Sequence, residues 1–399
     1  MMKGKTIVLG VTGSIAAYKI AGLASSLVKE GCEVHVVMTQ NATNFINPIT
    51  FETLTNTKCL VDTFDRNFEF HVTHVSLAKK ADVILVAPAT ANIIGKMACG
   101  IADDMLSTMV LAAQCPIIVS PAMNTNMYHN SIVQENLQKL AAHGMEIIPP
   151  QVGRLACADV GEGKMPDEAV LMAYLRKAVA YEKDLKGLKV LVTAGPTQEA
   201  IDPVRFISNH STGKMGFAVA RAAMERGAEV TLVSGPTAIE PPLLVDVVNV
   251  KTSAEMLEAV KTHFPQCDLL IKSAAVADYT PAEYHTEKVK KKDGEMALLL
   301  QRTADILREI ATMKQPKQLV CGFSMETENM EENSRKKLDS KNLDLVVANN
   351  LKVEGAGFGV DTNVVTLISR QETKQLPKLS KEEVAHRILD NLINQRKAL

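Results

Sequence analysis

Short apolar runs of strand length alternate along this chain with longer stretches whose apolar residues recur at helical spacing, starting from KTIVLGVTG (5 to 13). Runs that are apolar on both faces of the pleat cannot leave one face in water, so the pattern predicts parallel strands covered by helices on both sides. SIAAYKIAGLASSLVKEG reads as the first helix and stops at Gly31, a residue type that closes helices from the left-handed region. EVHVVMT is the second strand, VTHVSLAKKAD leads into VILVAPAT, and CPIIVSPAMN and MEIIPP are two further buried strands.

Residues 151 to 166, QVGRLACADVGEGKMP, break the rhythm with glycines and a proline and predict a mobile loop. DEAVLMAYLRKAVAYEK (167 to 183) opens on acidic residues and reads as a closing helix. LKVLVTAGPT (188 to 197) then restarts the pattern. AEVTLVSG, a helix from Thr252, DLLIKSAAV, a helix from Ala304 to Met313, QLVCGFSME and DLVVANN follow. The expected fold is α/β, with two doubly wound Rossmann-like domains over 1–187 and 188–399.

A length of 399 residues agrees with two domains, since one hydrophobic core seldom serves so many. Lys and Arg number 44 against 45 Asp and Glu, a net charge of −1, so no excess positive field supports nucleic-acid binding. Small molecules are the expected partners. Seven cysteines are scattered without a CxxC pair, which argues against a disulfide framework or zinc site. No signal peptide opens the chain and no apolar run nears the ~20 residues of a membrane span, so the cytoplasm is expected.

GVTGSIAAYK (10 to 19) is a Gly-rich turn opening a helix, where free N–H groups and the helix dipole suit a phosphate. Alone it fits a dinucleotide, an FMN phosphate or an empty tight turn. The second strand ends in Met38, Thr39 and Gln40, without the acidic residue that holds an NAD ribose. APATANIIGK (87 to 96) and SPAMNTNMY (120 to 128) are small and polar where an open α/β sheet places its crevice. Taken singly, His74 also suits a satisfied helix histidine, Asn124 a turn residue and Cys157 a buried thiol. In the second half, NHSTGKMG (209 to 216) precedes helix-patterned FAVARAAMERG, so Ser211, Gly213 and Gly216 can turn backbone N–H groups onto phosphates. LLIKSAAVAD (269 to 278) ends in Asp278, a candidate metal ligand, and EKVKKKDG (287 to 294) carries a dense run of lysines.

PAMNTNMY resembles the PxMNxxMW motif of the flavin-dependent cysteine decarboxylases, with Tyr128 in place of Trp, and HVTHVSL with His74 and RLACADVGEGKM with Cys157 match that family's other two signatures. VTAGPTQEAIDPVRFISNHSTGKMG, AAVADY, KVKK, GFSMET and KNLDLVVANN resemble the phosphopantothenoylcysteine synthetases across the second half. Thr212 and Thr303-Ala304-Asp305 stand where that family more often has Ser and Asn-Pro-Asp. The order of the halves is similar to that in the bacterial bifunctional synthetase/decarboxylases of coenzyme A synthesis.

For the first half, the resemblance implies a flavodoxin-like cysteine-decarboxylase fold with FMN at Gly13, Ser14, Ile15, Thr39, Thr90 and Asn92. It further implies that Asn124 holds the substrate carboxylate beside Met127 and that His74 handles the thiol proton. Cys157 would then protonate the enethiolate carbon on the way to 4′-phosphopantetheine. For the second half it implies a ligase in which 4′-phosphopantothenate attacks CTP to give an acyl-cytidylate and pyrophosphate, and cysteine displaces CMP. The implied CTP contacts are Gly195, Ser211, Gly213, Gly216, Lys272, Ser273, Ala274, Asp278, Ala304, Asp305, Ile306, Leu307, Phe323, Lys337 and Lys341. Lys288 would neutralise triphosphate charge, Mg²⁺ would sit near Asp278 through the triphosphate, and Asn209 and Arg205 would hold the acyl substrate. A homo-oligomer is also implied, from trimers of the first domain and dimers of the second up to a dodecamer. The rival expectations are an NAD(P)-dependent reductase and a catalytically silent flavin-binding regulator.

Overall fold

The computed structural model describes all residues except 1, 64–72, 155–159, 291–295, 327–328, 351–356, 358 and 399. The chain divides into two units, Met1–Glu182 and Lys183–Leu399. The division falls ahead of the expected start at Leu188 because Leu185 is fully buried in the second core and Asp184 pairs with Arg226 there.

In the first unit, β1 (Thr6–Val11), β2 (Glu33–Met38), β3 (Val83–Ala89), β4 (Ile117–Pro121) and β5 (Glu146–Ile147) form a parallel sheet in the order β2-β1-β3-β4-β5. β1, β3 and β4 are buried throughout, as their unbroken apolar runs require. Helices Lys19–Lys29 and Glu168–Val179 cover one face through Ile20, Leu23, Leu27, Leu171 and Leu175. Helices Ala91–Cys99, Met105–Ala112 and Ser131–Ala142 cover the other through Ile94, Leu106, Met109 and Leu140. This is the flavodoxin-like order, and its crevice opens where β1 and β3 send their connections to opposite faces.

The expected mobile loop at 151–166 is corrected where it is described: β6 (Gln151–Arg154) and β7 (Val160–Lys164) pair as an antiparallel hairpin. Its glycines provide clearance. A Cβ on Gly161 would lie 2.5 Å from Thr125 Oγ1, and one on Gly163 would lie 2.2 Å from the Met123 carbonyl oxygen.

In the second unit, Asp246–Asn249, Glu229–Ser234, Lys189–Ala194, Leu269–Lys272, Leu319–Glu326 and Leu345–Asn350 lie side by side and parallel. Counted along the chain, these are the third, second, first, fourth, fifth and sixth strands, the Rossmann order. Two antiparallel strands, Val365–Ser369 and Thr373–Gln375, extend the edge beyond the predicted pattern. Helices Lys214–Glu225 and Lys381–Lys397 cover one face, and Ser253–His263, Ile306–Ala311 and Met330–Ser340 the other. The helix expected from Ala304 begins at Ile306 because Asp305 caps it, its carboxylate accepting from the Arg308 amide at 3.3 Å. Among the described residues no helix is long and apolar enough to cross a membrane.

Candidate active sites

At the end of β1, Thr12 joins the two central strands of the first unit. Its hydroxyl donates to the Pro88 carbonyl at 2.6 Å and accepts from the Thr90 amide at 3.2 Å. The chain then turns tightly: the Ser14 amide donates to the Thr12 carbonyl at 2.8 Å, and Ser14 Oγ accepts from the Ala16 amide at 3.3 Å. Gly13 is required by space, since a Cβ there would lie 2.8 Å from Asn41 Cβ. Beside this turn opens a cavity of about 540 Å³ whose lining includes Ser14, Ile15, Lys19, Asn124, Arg154 and Lys164. Asn124 Oδ1 accepts from the Asn126 amide at 2.9 Å and caps the short helix Thr125–Tyr128.

Of the residues expected here, Ser14, Ile15 and Asn124 line the cavity, Gly13 begins its turn, and Thr90 caps the helix after β3 beside Thr12. Thr39 follows β2, and its hydroxyl oxygen is buried without a hydrogen-bond partner among the described residues. Asn92 is exposed, Met127 is 49% exposed, and neither they nor His74 on helix Thr73–Lys80 line the cavity. Cys157 lies outside the described residues. Lys19, Arg154 and Lys164 escaped sequence reasoning. Lys19 reads as a solvated helix position and the other two as loop, and only the hairpin fold brings Arg154 and Lys164 to Asn124.

In the second unit, the crevice lies between the ends of Lys189–Ala194 and Leu269–Lys272. Gly195, at φ +73°, accepts from the Ala275 amide at 3.0 Å, and the Ala274 amide donates to Thr193 Oγ1 at 3.2 Å. Asn209 Nδ2 donates to the Ala275 carbonyl at 3.0 Å, which ties the expected acyl-positioning residue to the strand end beyond Ser273. Gly213, at φ +80°, starts the helix Lys214–Glu225, and its amide donates to Ser211 Oγ at 3.4 Å. Gly216 lets that helix lie against the sheet, since a Cβ there would meet Ala194 Cβ at 2.5 Å.

A second cavity, of about 350 Å³, is lined by Lys272, Asp278, Ala304, Asp305, Lys337 and Lys341, together with Ile306 and Leu307. Lys337 Nζ donates to the Phe323 carbonyl at 2.6 Å, and Lys341 pairs with Asp305 at 2.8 Å. Burial, with the ammonium groups of Lys337 and Lys341, pushes Lys272 down to about 8. Burial works against the Asp305 carboxylate, but the bonds from Lys341 and the Arg308 amide hold it below the usual range. Arg205 is not among the residues lining this cavity. Its guanidinium grips the buried Asp202 at 3.0 and 2.5 Å and donates to the Val289 carbonyl at 2.8 Å. That grip holds the Asp202 carboxyl well below the usual carboxylate range. Val289 returns its amide to Asp202 at 3.1 Å, so the segment bearing exposed Lys288 is anchored one residue away. Among the described residues no group of three or more His, Cys, Asp or Glu is placed to hold a metal. A cation at Asp278 would need oxygen ligands from a bound triphosphate.

Two family models cover nearly the whole chain: Flavoprotein over residues 1–180, and the DNA/pantothenate metabolism flavoprotein C-terminal domain over 185–395. The coenzyme A biosynthesis bifunctional protein CoaBC of Bacillus subtilis is 46% identical over 396 residues, 98% of this chain and 97% of that protein. The chain belongs to this bifunctional family. Its Escherichia coli K12 member is 41% identical over 397 residues, 99% of this chain and 98% of that protein. Among solved structures, the C-terminal domain of a CoaBC protein is 44% identical over 55% of this chain and all of that one, with a TM-score of 0.48. Family membership makes the first unit a flavoprotein. Its residues fit a flavin: the β1 turn has no room for a side chain at Gly13, and the buried Thr39 hydroxyl lacks a partner among the described residues.

Proposed function

We propose that the first unit decarboxylates 4′-phospho-N-pantothenoylcysteine with FMN seated in the crevice between β1 and β3, and that the second makes this substrate from 4′-phosphopantothenate and cysteine with CTP and Mg²⁺. Decarboxylase and phosphopantothenate–cysteine ligase activities in coenzyme A biosynthesis are those of the family. The observation that carries the residue assignments is the cavity where Asn124 meets the Ser14 turn among the cations Lys19, Arg154 and Lys164.

FMN, when bound, supplies the two-electron acceptor that lets a cysteinyl carboxylate leave as CO₂. Gly13, Ser14, Ile15, Thr39 and Thr90 hold it. Asn124 holds the substrate carboxylate from the cap of helix Thr125–Tyr128, while Arg154 and Lys164 offset the negative charge of the substrate. His74 takes the thiol proton and Cys157 returns a proton to carbon, both by resemblance alone. In the second unit, Lys272, Lys337 and Lys341 face the nucleotide, Asn209 orients the acyl group, and Lys288 neutralises charge that shifts within the triphosphate. Asp278 is the one protein carboxylate assigned to Mg²⁺.

Ile15 and Tyr18, 55% and 59% exposed beside the first cavity, support a homo-oligomer that covers them. The six described cysteines are all free thiols, which supports residence in the reducing cytoplasm. The test is a coupled assay with CTP and ATP in parallel, together with the absorption spectrum of the purified protein. A yellow protein that makes 4′-phosphopantetheine from 4′-phosphopantothenate, cysteine and CTP supports the proposal. Equal use of ATP removes the nucleotide assignment, and a colourless protein indifferent to added FMN removes the flavin assignment.

A further inference from the structure

Two helices of the second unit begin with lysine, Lys214 in Lys214–Glu225 and Lys381 in Lys381–Lys397. A cation at a helix N-terminus opposes the helix dipole, so neither lysine is placed to stabilise its own helix. Both turn to one short segment. Lys214 Nζ reaches the Gly359 carbonyl at 3.0 Å and Asp361 Oδ1 at 2.7 Å. Lys381, only 6% exposed, donates from Nζ to the carbonyls of Gly357 at 3.1 Å and Val360 at 2.5 Å, and from its backbone amide to the Asp361 carbonyl at 2.9 Å. The chain continues into Thr362–Asn363, which pairs antiparallel with Leu379–Ser380, and Asn363 Nδ2 lies 3.9 Å from Met215 Sδ. Lys214 and Met215 directly follow Gly213, whose left-handed conformation shapes the turn that starts at Ser211.

We infer that the segment around Gly359–Asn363 is a strap that positions the Ser211–Gly216 turn for nucleotide binding, with Asp361 and Lys214 as positioning residues. The inference rests on the reading that this turn carries CTP. The Lys214 ammonium is spent on the strap.

The full chain is assayed with CTP and Mg²⁺, with decarboxylation followed on the same preparation as a control. Asp361 is 89% exposed, so Asp361→Asn leaves the core intact. Asp361→Asn and Lys214→Met are each expected to raise KM for CTP about 3- to 10-fold with kcat within twofold, the scale of one exposed ion pair and its neighbouring bonds. The double variant is expected to be no worse than the worse single one, and Asp361→Glu to restore the parent KM. If Lys214 instead meets the triphosphate directly, Asp361→Asn frees it and KM falls or stays level while Lys214→Met raises it; that result overturns the inference. Gly213→Ala separates the two levels, since a Cβ there would lie 2.8 Å from Thr237 Cγ2 in a left-handed backbone. Normal CTP use by Gly213→Ala removes the nucleotide reading itself. Loss of CTP use there, with Asp361→Asn unaffected, removes the strap alone.

Discussion

The Met123 amide donates to the Gly163 carbonyl at 3.1 Å, and a Cβ on Gly163 would come within 2.2 Å of the Met123 carbonyl oxygen. This backbone staple holds β7 against the turn that carries Asn124. It is the reason Arg154 and Lys164, on the two strands of one hairpin, share a cavity with Asn124.

Gly163→Ala is therefore expected to cost decarboxylation about 10-fold or more, because Gly163 sits at φ +128° and its neighbour cannot yield without moving the Asn124 turn. Ligase turnover on the same protein should be unchanged. Normal decarboxylation by this variant would show that the staple does not set the site.

Thr39→Val separates binding from folding. A buried hydroxyl without a partner costs roughly 1–3 kcal/mol, so its removal should raise the melting temperature of flavin-free protein by about 2–6 °C. The same change should weaken FMN retention by about 10-fold, because the partner that Thr39 lacks is assigned to the flavin. Calorimetry and flavin release are the two measurements, and a variant that retains FMN fully removes Thr39 from the site.

Lys272 sets a pH dependence of definite sign. Its ordinary value is 10.5, and burial with Lys337 and Lys341 brings it to about 8 in the folded chain. If its charge holds the triphosphate, kcat/KM for CTP should fall about tenfold per pH unit above about 8. Lys272→Arg, which stays charged, should remove that fall. Stability should move the other way: between about 8 and 10.5 the unfolded chain binds more protons, so Lys272 contributes increasing stability as pH rises. A flat kcat/KM profile across this range would exclude a charge role for Lys272 in nucleotide binding.

Cys157→Ser should release CO₂ once and stall, because a serine hydroxyl is a poor proton donor to carbon at neutral pH. The retained product should be two hydrogens short of 4′-phosphopantetheine by mass. His74→Asn should release no CO₂. Complete turnover by Cys157→Ser would end the acid role assigned to it.

The parallel strands were legible because strands buried on both faces must be apolar almost without break, and the helices because a covering face must recur at helical spacing. KTIVLGVTG and LKVLVTAGPT announce the first strand of each unit in this way. Short motifs at strand ends, such as SPAMNTNMY and NHSTGKMG, were legible for a related reason: chain direction and sheet type place those ends at the crevice. By itself the sequence thus determined the α/β class, the two-unit order and the strand-end motifs that border each crevice.

Tertiary structure alone decided what depends on contacts distant in sequence. QVGRLACADVGEGKMP reads as a mobile loop because its glycines lack any local partner, yet they are the clearance that lets a hairpin press on Met123 and Thr125. Arg205, which the resemblance places at the acyl substrate, is anchored by Asp202 three positions away and by the Val289 carbonyl, 84 positions along the chain. Lys214 opens its helix next to the expected phosphate turn, and its partner Asp361 is separated from it by 147 positions. Local pattern encodes which face of an element is buried. Which charge meets which, and which glycine clears which carbonyl, is set only when separate elements pack together.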